Sequence, residues 1–121
     1  LLVLLAVLSW NPCKVWTNQL SLWSHAAAVN PDSTTALNNL GGAYLEAGDL
    51  QKAREYFQKA AMNFNDPMPY YNLGRVYEEL GDREKAVFYY RNFLAFNDPS
   101  HLATATALRR RLLAQYGILL R

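Results

Sequence analysis

The chain has 121 residues, of which 51% are apolar, and a formal net charge of +2. This is enough apolar material for about one ordered domain, which excludes a disordered chain. So small a charge, without a basic stretch interleaved with aromatic residues, argues against a nucleic acid as the partner. Cys13 is the only cysteine, so an internal disulfide is excluded.

The chain begins with an unbroken apolar run from Leu1 to Leu8. This run is much shorter than the roughly 20 residues that a helix needs to cross a bilayer. It has no basic flank and so does not form a complete signal peptide. We expect the chain to begin partway through a longer protein. Residues 1–14 are then either the end of a transmembrane helix or the first helix of an irregular repeat, and the sequence leaves both open.

Clusters of asparagine, aspartate and proline at 30–33, 65–67 and 97–99 are each expected to stop one helix and cap the next. Between them, Gly48-Asp49 and Gly81-Asp82 predict turns in which glycine adopts a left-handed conformation and aspartate caps the following helix. The predicted helices run from 12 or 15 to 29, then over 34–46, 50–63, 68–80, 83–96 and 99–116, with Gly117 ending the last.

Two stretches follow one template 33 residues apart. The first contains Asn39, Leu40, Gly41, Tyr44, Gly48-Asp49, Ala53, Phe57 and Ala60, and the second contains Asn72, Leu73, Gly74, Tyr77, Gly81-Asp82, Ala86, Tyr90 and Phe93. A repeat of this length indicates stacked helical hairpins rather than a catalytic pocket. We expect Gly41 and Gly74 to let paired helices approach closely.

These residues resemble the tetratricopeptide repeat, although Phe93 stands where that family usually has alanine. The resemblance implies an all-α array of helical hairpins, a right-handed α-solenoid, with a C-terminal capping helix. It divides residues 15–98 into a half repeat, 15–32, and two repeats, 33–66 and 67–98. Residues 99–121 then form the capping helix and a tail.

A narrower resemblance covers the stretch from Val15 to Ala26 and its continuation into Asn30-Pro31. It is similar to the junction that follows the last transmembrane helix in membrane-embedded glycosyltransferase-like proteins with tetratricopeptide repeats. This resemblance implies a non-catalytic tail that presents protein acceptors on the periplasmic or lumenal side of a membrane. Without it, a cytoplasmic location is expected.

In the tetratricopeptide-repeat family, the first helix of each hairpin lines the concave face of the array, where a protein or peptide partner binds. The resemblance places these residues on that face: Thr35, Asn38, Asn39, Gly42, Leu45, Glu46, Met68, Tyr71, Asn72, Arg75, Glu78 and Glu79. The candidate peptide-binding residues among them are Asn38, Asn39, Glu46, Tyr71, Asn72, Arg75, Glu78 and Glu79.

Asn39 and Asn72 occupy the same position in successive repeats, and an asparagine amide offers both a donor and an acceptor to a peptide backbone. Arg75 is suited to pairing with a carboxylate. The alternative is that both asparagines only bond to local turns or neighbouring helices. The family's clamp for a C-terminal carboxylate needs several basic residues on this face, and Arg75 alone does not supply it.

The sequence predicts no enzyme, no cofactor and no metal site. It contains no Gly-rich phosphate loop, and no second metal ligand stands at suitable spacing from His25 or His101. Glu78 and Glu79 are adjacent on a helix and point about 100° apart, which makes them a poor acid–base pair.

Arg109, Arg110 and Arg111 lie in the last predicted helix and spread around its axis. They predict either a solvated helix face near the C-terminal end or a contact with anionic lipid, to which Arg121 would add. Membrane contact through the N-terminal apolar segment, and oligomerisation through exposed repeat edges, are left open by the sequence.

Overall fold

The computed structural model describes residues 12–120, with side chains from Asn18 onward. This part of the chain is helical throughout, as predicted. The helices, in chain order, are α1 Pro12–Val29, α2 Thr34–Glu46, α3 Leu50–Ala61, α4 Met68–Glu79, α5 Arg83–Ala95 and α6 Leu102–Tyr116, with a 3-10 turn at Pro99–His101 before α6. Helices α2 and α3 form one hairpin and α4 and α5 form the next, while α1 packs on α2.

The turns within both hairpins have the predicted chemistry. Gly48 and Gly81 adopt φ angles of 82° and 79°, a left-handed conformation that residues with a Cβ rarely adopt. The Asp49 carboxylate accepts a hydrogen bond from the Lys52 amide at 3.2 Å, and Asp82 does the same for Lys85 at 3.1 Å. Each aspartate thus satisfies an otherwise unpaired amide in the first turn of its helix.

Helices α3, α4 and α5 end one or two residues earlier than predicted, at Ala61, Glu79 and Ala95. The last helix also begins differently. Residues 99–101 form a 3-10 turn because the Asp98 carboxylate accepts the Ser100 amide at 2.9 Å and tightens the chain there. Gly117 ends α6 with a φ of 64°, as expected.

The glycines in the middle of α2 and α4 allow close contact within each hairpin. A Cβ built on Gly41 would lie 2.7 Å from the Phe57 ring, and one on Gly74 would overlap the Tyr90 ring. Phe57 and Tyr90 are completely buried as a result. The prediction of close helix approach at these glycines is confirmed.

The core continues from the two hairpins into α6, which packs over the end of the array. Leu108 and Leu112 of α6 are buried in the same apolar cluster as Leu73 and Val76 of α4. Phe93, where alanine is usual, is buried in this cluster too. Helix α6 therefore caps the apolar surface that the second hairpin would otherwise expose.

Most of the apolar N-terminal segment, residues 1–11, and Arg121 lie outside the described residues, so the two interpretations of that segment stay predictions. Between residues 12 and 120, no helix combines the length and the apolar character required to cross a membrane.

Candidate polypeptide-binding groove

Helices α2 and α4 lie side by side and carry all of the candidate peptide-binding residues. We call this set the groove face. Glu46, Arg75 and Glu79 are exposed on it, whereas Asn72 is buried. The remaining four, Asn38, Asn39, Tyr71 and Glu78, are partly buried.

Two asparagines of the groove face bond to each other. The Nδ2 group of Asn72 donates to Oδ1 of Asn38 at 2.8 Å, and the Asn72 residue is only 8% exposed. A buried amide without a partner would be costly, so this bond ties α4 to α2 at a fixed position. For Asn72, the contact is the bond to a neighbouring helix that the sequence left open as an alternative. Asn39 keeps a partly accessible amide.

Tyr71 is held by other aromatic rings. Its ring centroid lies 5.3 Å from that of Phe93 and 5.8 Å from that of Tyr90, both on α5. Such tilted pairs favour one ring orientation. Tyr71 is therefore packed against α5 at the groove face rather than free in solvent.

Glu78 is paired with an arginine of the capping helix. Arg111 Nη1 lies 2.9 Å and 3.0 Å from the two oxygens of Glu78, and Nη2 donates to the Tyr90 hydroxyl at 3.2 Å. Arg111 also reaches Gln115 at 3.1 Å. The prediction of a solvated face is thus wrong for Arg111, because α6 is rotated so that this side chain points at α4.

The same contacts shift two pKa values. Burial raises the pKa of the Tyr90 hydroxyl above its usual range, and the nearby negative charge of Glu78 adds to that rise. Burial alone would lower the pKa of Arg111, but its hydrogen bonds to Glu78 and Tyr90 more than offset this, and the pKa is raised. Arg111 stays charged, and Tyr90 stays neutral as a hydrogen-bond partner.

Three side chains of the groove face are exposed and charged: Glu46, Arg75 and Glu79. None of them makes an ion pair with another described residue. Across residues 12–120, no group of histidine, cysteine, aspartate or glutamate side chains is arranged to hold a metal ion. What the face offers is therefore a set of polar and charged contacts on a rigid pair of helices.

Stacked hairpins with a capping helix and a polar face on the first helix of each hairpin define a helical-repeat array. Two family models, both described as tetratricopeptide repeat, match residues 20–67 and 69–97. The chain belongs to the tetratricopeptide-repeat family, as its sequence resemblance indicated. Repeats of this family are commonly protein-interaction modules and are generally non-catalytic. Among curated proteins, none matches the chain.

Sequence reasoning did not find the Asn38–Asn72 and Glu78–Arg111 contacts. Both join residues about one repeat apart, at separations of 34 and 33 positions. Opposite charges one repeat length apart are a signal that would have suggested the second contact. The first had no such signal, because α2 carries two neighbouring asparagines and the sequence does not indicate which of them meets Asn72.

Proposed function

We propose that the groove face binds an extended segment of another polypeptide and performs no catalysis. The observation that carries this proposal is a set of unpaired side chains on two adjacent helices, of which Glu46, Arg75 and Glu79 are exposed and Asn39 is partly buried. The Asn38–Asn72 bond fixes the spacing of those helices before a partner arrives. A face organised in advance loses less conformational entropy on binding.

Each of these side chains suits a different part of a peptide. The Asn39 amide offers a donor and an acceptor to a backbone amide, so it holds a segment without reading its sequence. Arg75 suits an acidic side chain, and Glu46 and Glu79 suit basic ones. Two repeats give a short groove, and we expect modest affinity for an isolated peptide.

The test is a selection of displayed random peptides against the whole chain, followed by calorimetry with the selected sequences. Asn39→Ala combined with Arg75→Ala should weaken binding by roughly 10-fold or more, since each hydrogen bond contributes about 1 kcal/mol and a charged one more. Asn72 is unsuitable for this test, because its burial makes its replacement a change in stability as well.

The matched control is Gln51→Ala combined with Lys52→Ala, two exposed residues at the start of α3. It also removes one amide and one positive charge, and peptide affinity should stay unchanged. The proposal fails if the control weakens binding as much as the groove variant does, or if the groove variant binds normally while circular dichroism reports a native helical content.

A second candidate rests on a separate observation, the similarity of Val15 to Ala26 to the junction after the last transmembrane helix of glycosyltransferase-like membrane proteins. We propose on that basis that the array is the tail that presents acceptor proteins to a distant active site. The sequence upstream of Leu1 tests this directly. Several long apolar spans there would support the candidate, and further repeats or a signal peptide would contradict it.

A further inference from the structure

The C-terminal end of the molecule carries positive charge that the fold does not neutralise. From Pro99 onward the sequence contains no aspartate or glutamate, although it contains Arg109, Arg110 and Arg111. Arg111 is used by Glu78. Arg109 and Arg110 make no ion pair with any residue between 12 and 120, and neither does Arg91 of α5.

Exposed leucines surround these arginines. Leu102, Leu113 and Leu119 are 61%, 49% and 67% exposed. Leu102, Arg109 and Leu113 lie on one side of α6, because they are seven and four positions apart along the helix. We call the six residues the terminal patch: Arg91, Leu102, Arg109, Arg110, Leu113 and Leu119.

Two cavities that share Leu94 connect four residues of the patch. Leu94 lines a cavity of about 20 Å³ together with Leu102 and Arg109, and it also lines an open cleft together with Arg91 and Leu119. The first cavity is close to the size of one water molecule and cannot receive a partner's side chain. Leu102 therefore stands on the surface around this cavity rather than inside a socket.

One carboxylate, that of Asp98, lines the same small cavity as Arg109. Its Oδ1 accepts hydrogen bonds from the amide and the hydroxyl of Ser100 at 2.9 Å and 2.8 Å, and its Oδ2 lies 4.0 Å from Nε2 of His101. Asp98 makes no ion pair with Arg109, and the three arginines of the patch outnumber this one carboxylate.

We propose that the terminal patch binds the surface of a membrane that contains anionic lipids. Arg109 and Arg110 have no acidic residue on their helix, and Arg91 makes no ion pair with Glu84 of α5. Such a cluster of guanidinium groups matches a layer of phosphate groups, which guanidinium binds in a bidentate manner. Leucines standing between them enter the boundary between headgroups and acyl chains. A bilayer adapts its shape to scattered leucines and needs no preformed socket. The groove face takes no part in this contact.

The experiment compares the affinity of the whole chain for vesicles of phosphatidylcholine with and without phosphatidylglycerol, by flotation. We expect tighter binding to the anionic vesicles, and release by salt. Arg91→Glu combined with Arg110→Glu, two exposed positions, should lower the affinity for anionic vesicles about 30-fold or more, because each arginine near an anionic surface contributes roughly fivefold. Leu113→Ser combined with Leu119→Ser should weaken binding to the same vesicles.

The matched control is Lys52→Glu combined with Lys59→Glu, exposed positions on α3 that change the net charge by the same amount. Leu1 to Leu8 is present in every variant, so the differences report on the patch alone. The proposal is overturned if the chain does not prefer anionic vesicles, if the control loses as much affinity, or if the leucine variant binds normally. The proposal is also overturned if the chain binds poly-glutamate through Arg91 and Arg110 but binds no vesicles. That result would assign the patch to an acidic polypeptide.

Discussion

Single residues decide how closely the two helices of each hairpin approach. Gly41 and Gly42 are neighbours in α2, but a Cβ on Gly41 would lie 2.7 Å from the Phe57 ring, whereas a Cβ on Gly42 would meet nothing within 4 Å. At Gly42 a substitution therefore reports only the intrinsic cost of glycine in a helix, whereas at Gly41 it also reports the packing of the helix against Phe57.

We expect opposite effects from one substitution at these two positions. Gly42→Ala should raise the free energy of unfolding by about 0.5–1 kcal/mol, because alanine is the better helix former. Gly41→Ala should lower it by about 1–2 kcal/mol, because crowding against Phe57 exceeds that gain. Urea denaturation of both variants measures the two values, and equal stabilisation would contradict the close packing of α2 on α3.

The pair of Glu78 and Glu79 gives a second contrast between neighbours. Glu78→Ala leaves Arg111 partly buried without its carboxylate partner, and we expect a loss of about 1–2 kcal/mol in the free energy of unfolding. Glu79→Ala removes an exposed charge and should change stability by less than about 0.5 kcal/mol. Chemical denaturation of both variants provides the comparison, and similar values for the two would argue against a structural role for the Glu78–Arg111 contact.

At the scale of elements, α6 acts as part of the core through one face. Leu112 is completely buried while Leu113, its neighbour, is 49% exposed. Leu112→Ala should lower the free energy of unfolding by about 3 kcal/mol, within the usual range for a buried leucine. Leu113→Ala should cost less than about 1 kcal/mol. Thermal denaturation checks this, and equal effects would show that α6 is not docked in this orientation.

The turns and the last helix differ in how well the sequence predicts them. Gly48, Asp49 and their counterparts one repeat later act through local chemistry, so their roles in the turns could be predicted from the residue types alone. The rotation of α6 depends on how its leucines fit the end of the array. Arg111 therefore faces Glu78, while Arg109 and Arg110 do not, and a run of three arginines gives no indication of which one turns inward.

In the groove face, too, some features could be predicted from the sequence and others could not. The 33-residue spacing predicts that Asn39 and Asn72 occupy equivalent positions in successive repeats. Their different environments could not be predicted, because the partner of Asn72 is Asn38, a side chain with no equivalent asparagine in the second repeat. Tyr71 occupies that place and packs on Phe93.

At the scale of the whole molecule, the array presents two surfaces of different chemistry. The groove face is polar and carries both signs of charge, whereas the terminal patch is cationic and apolar. If the groove face binds a polypeptide and the terminal patch binds lipid, as we propose, a partner in the groove would be held near a membrane. Binding at the groove does not require the terminal patch, and the two proposals can fail separately.

The most direct test of polypeptide binding is photo-crosslinking from chosen positions. A photoreactive amino acid placed at Asn39, on the groove face, should crosslink to a peptide selected against the whole chain, and the same amino acid at Glu55, exposed on α3, should not. Mass spectrometry of the products locates the attachment. Crosslinks from position 39 alone are the predicted result, and crosslinks from position 55 alone, or equally from both, would contradict binding in the groove.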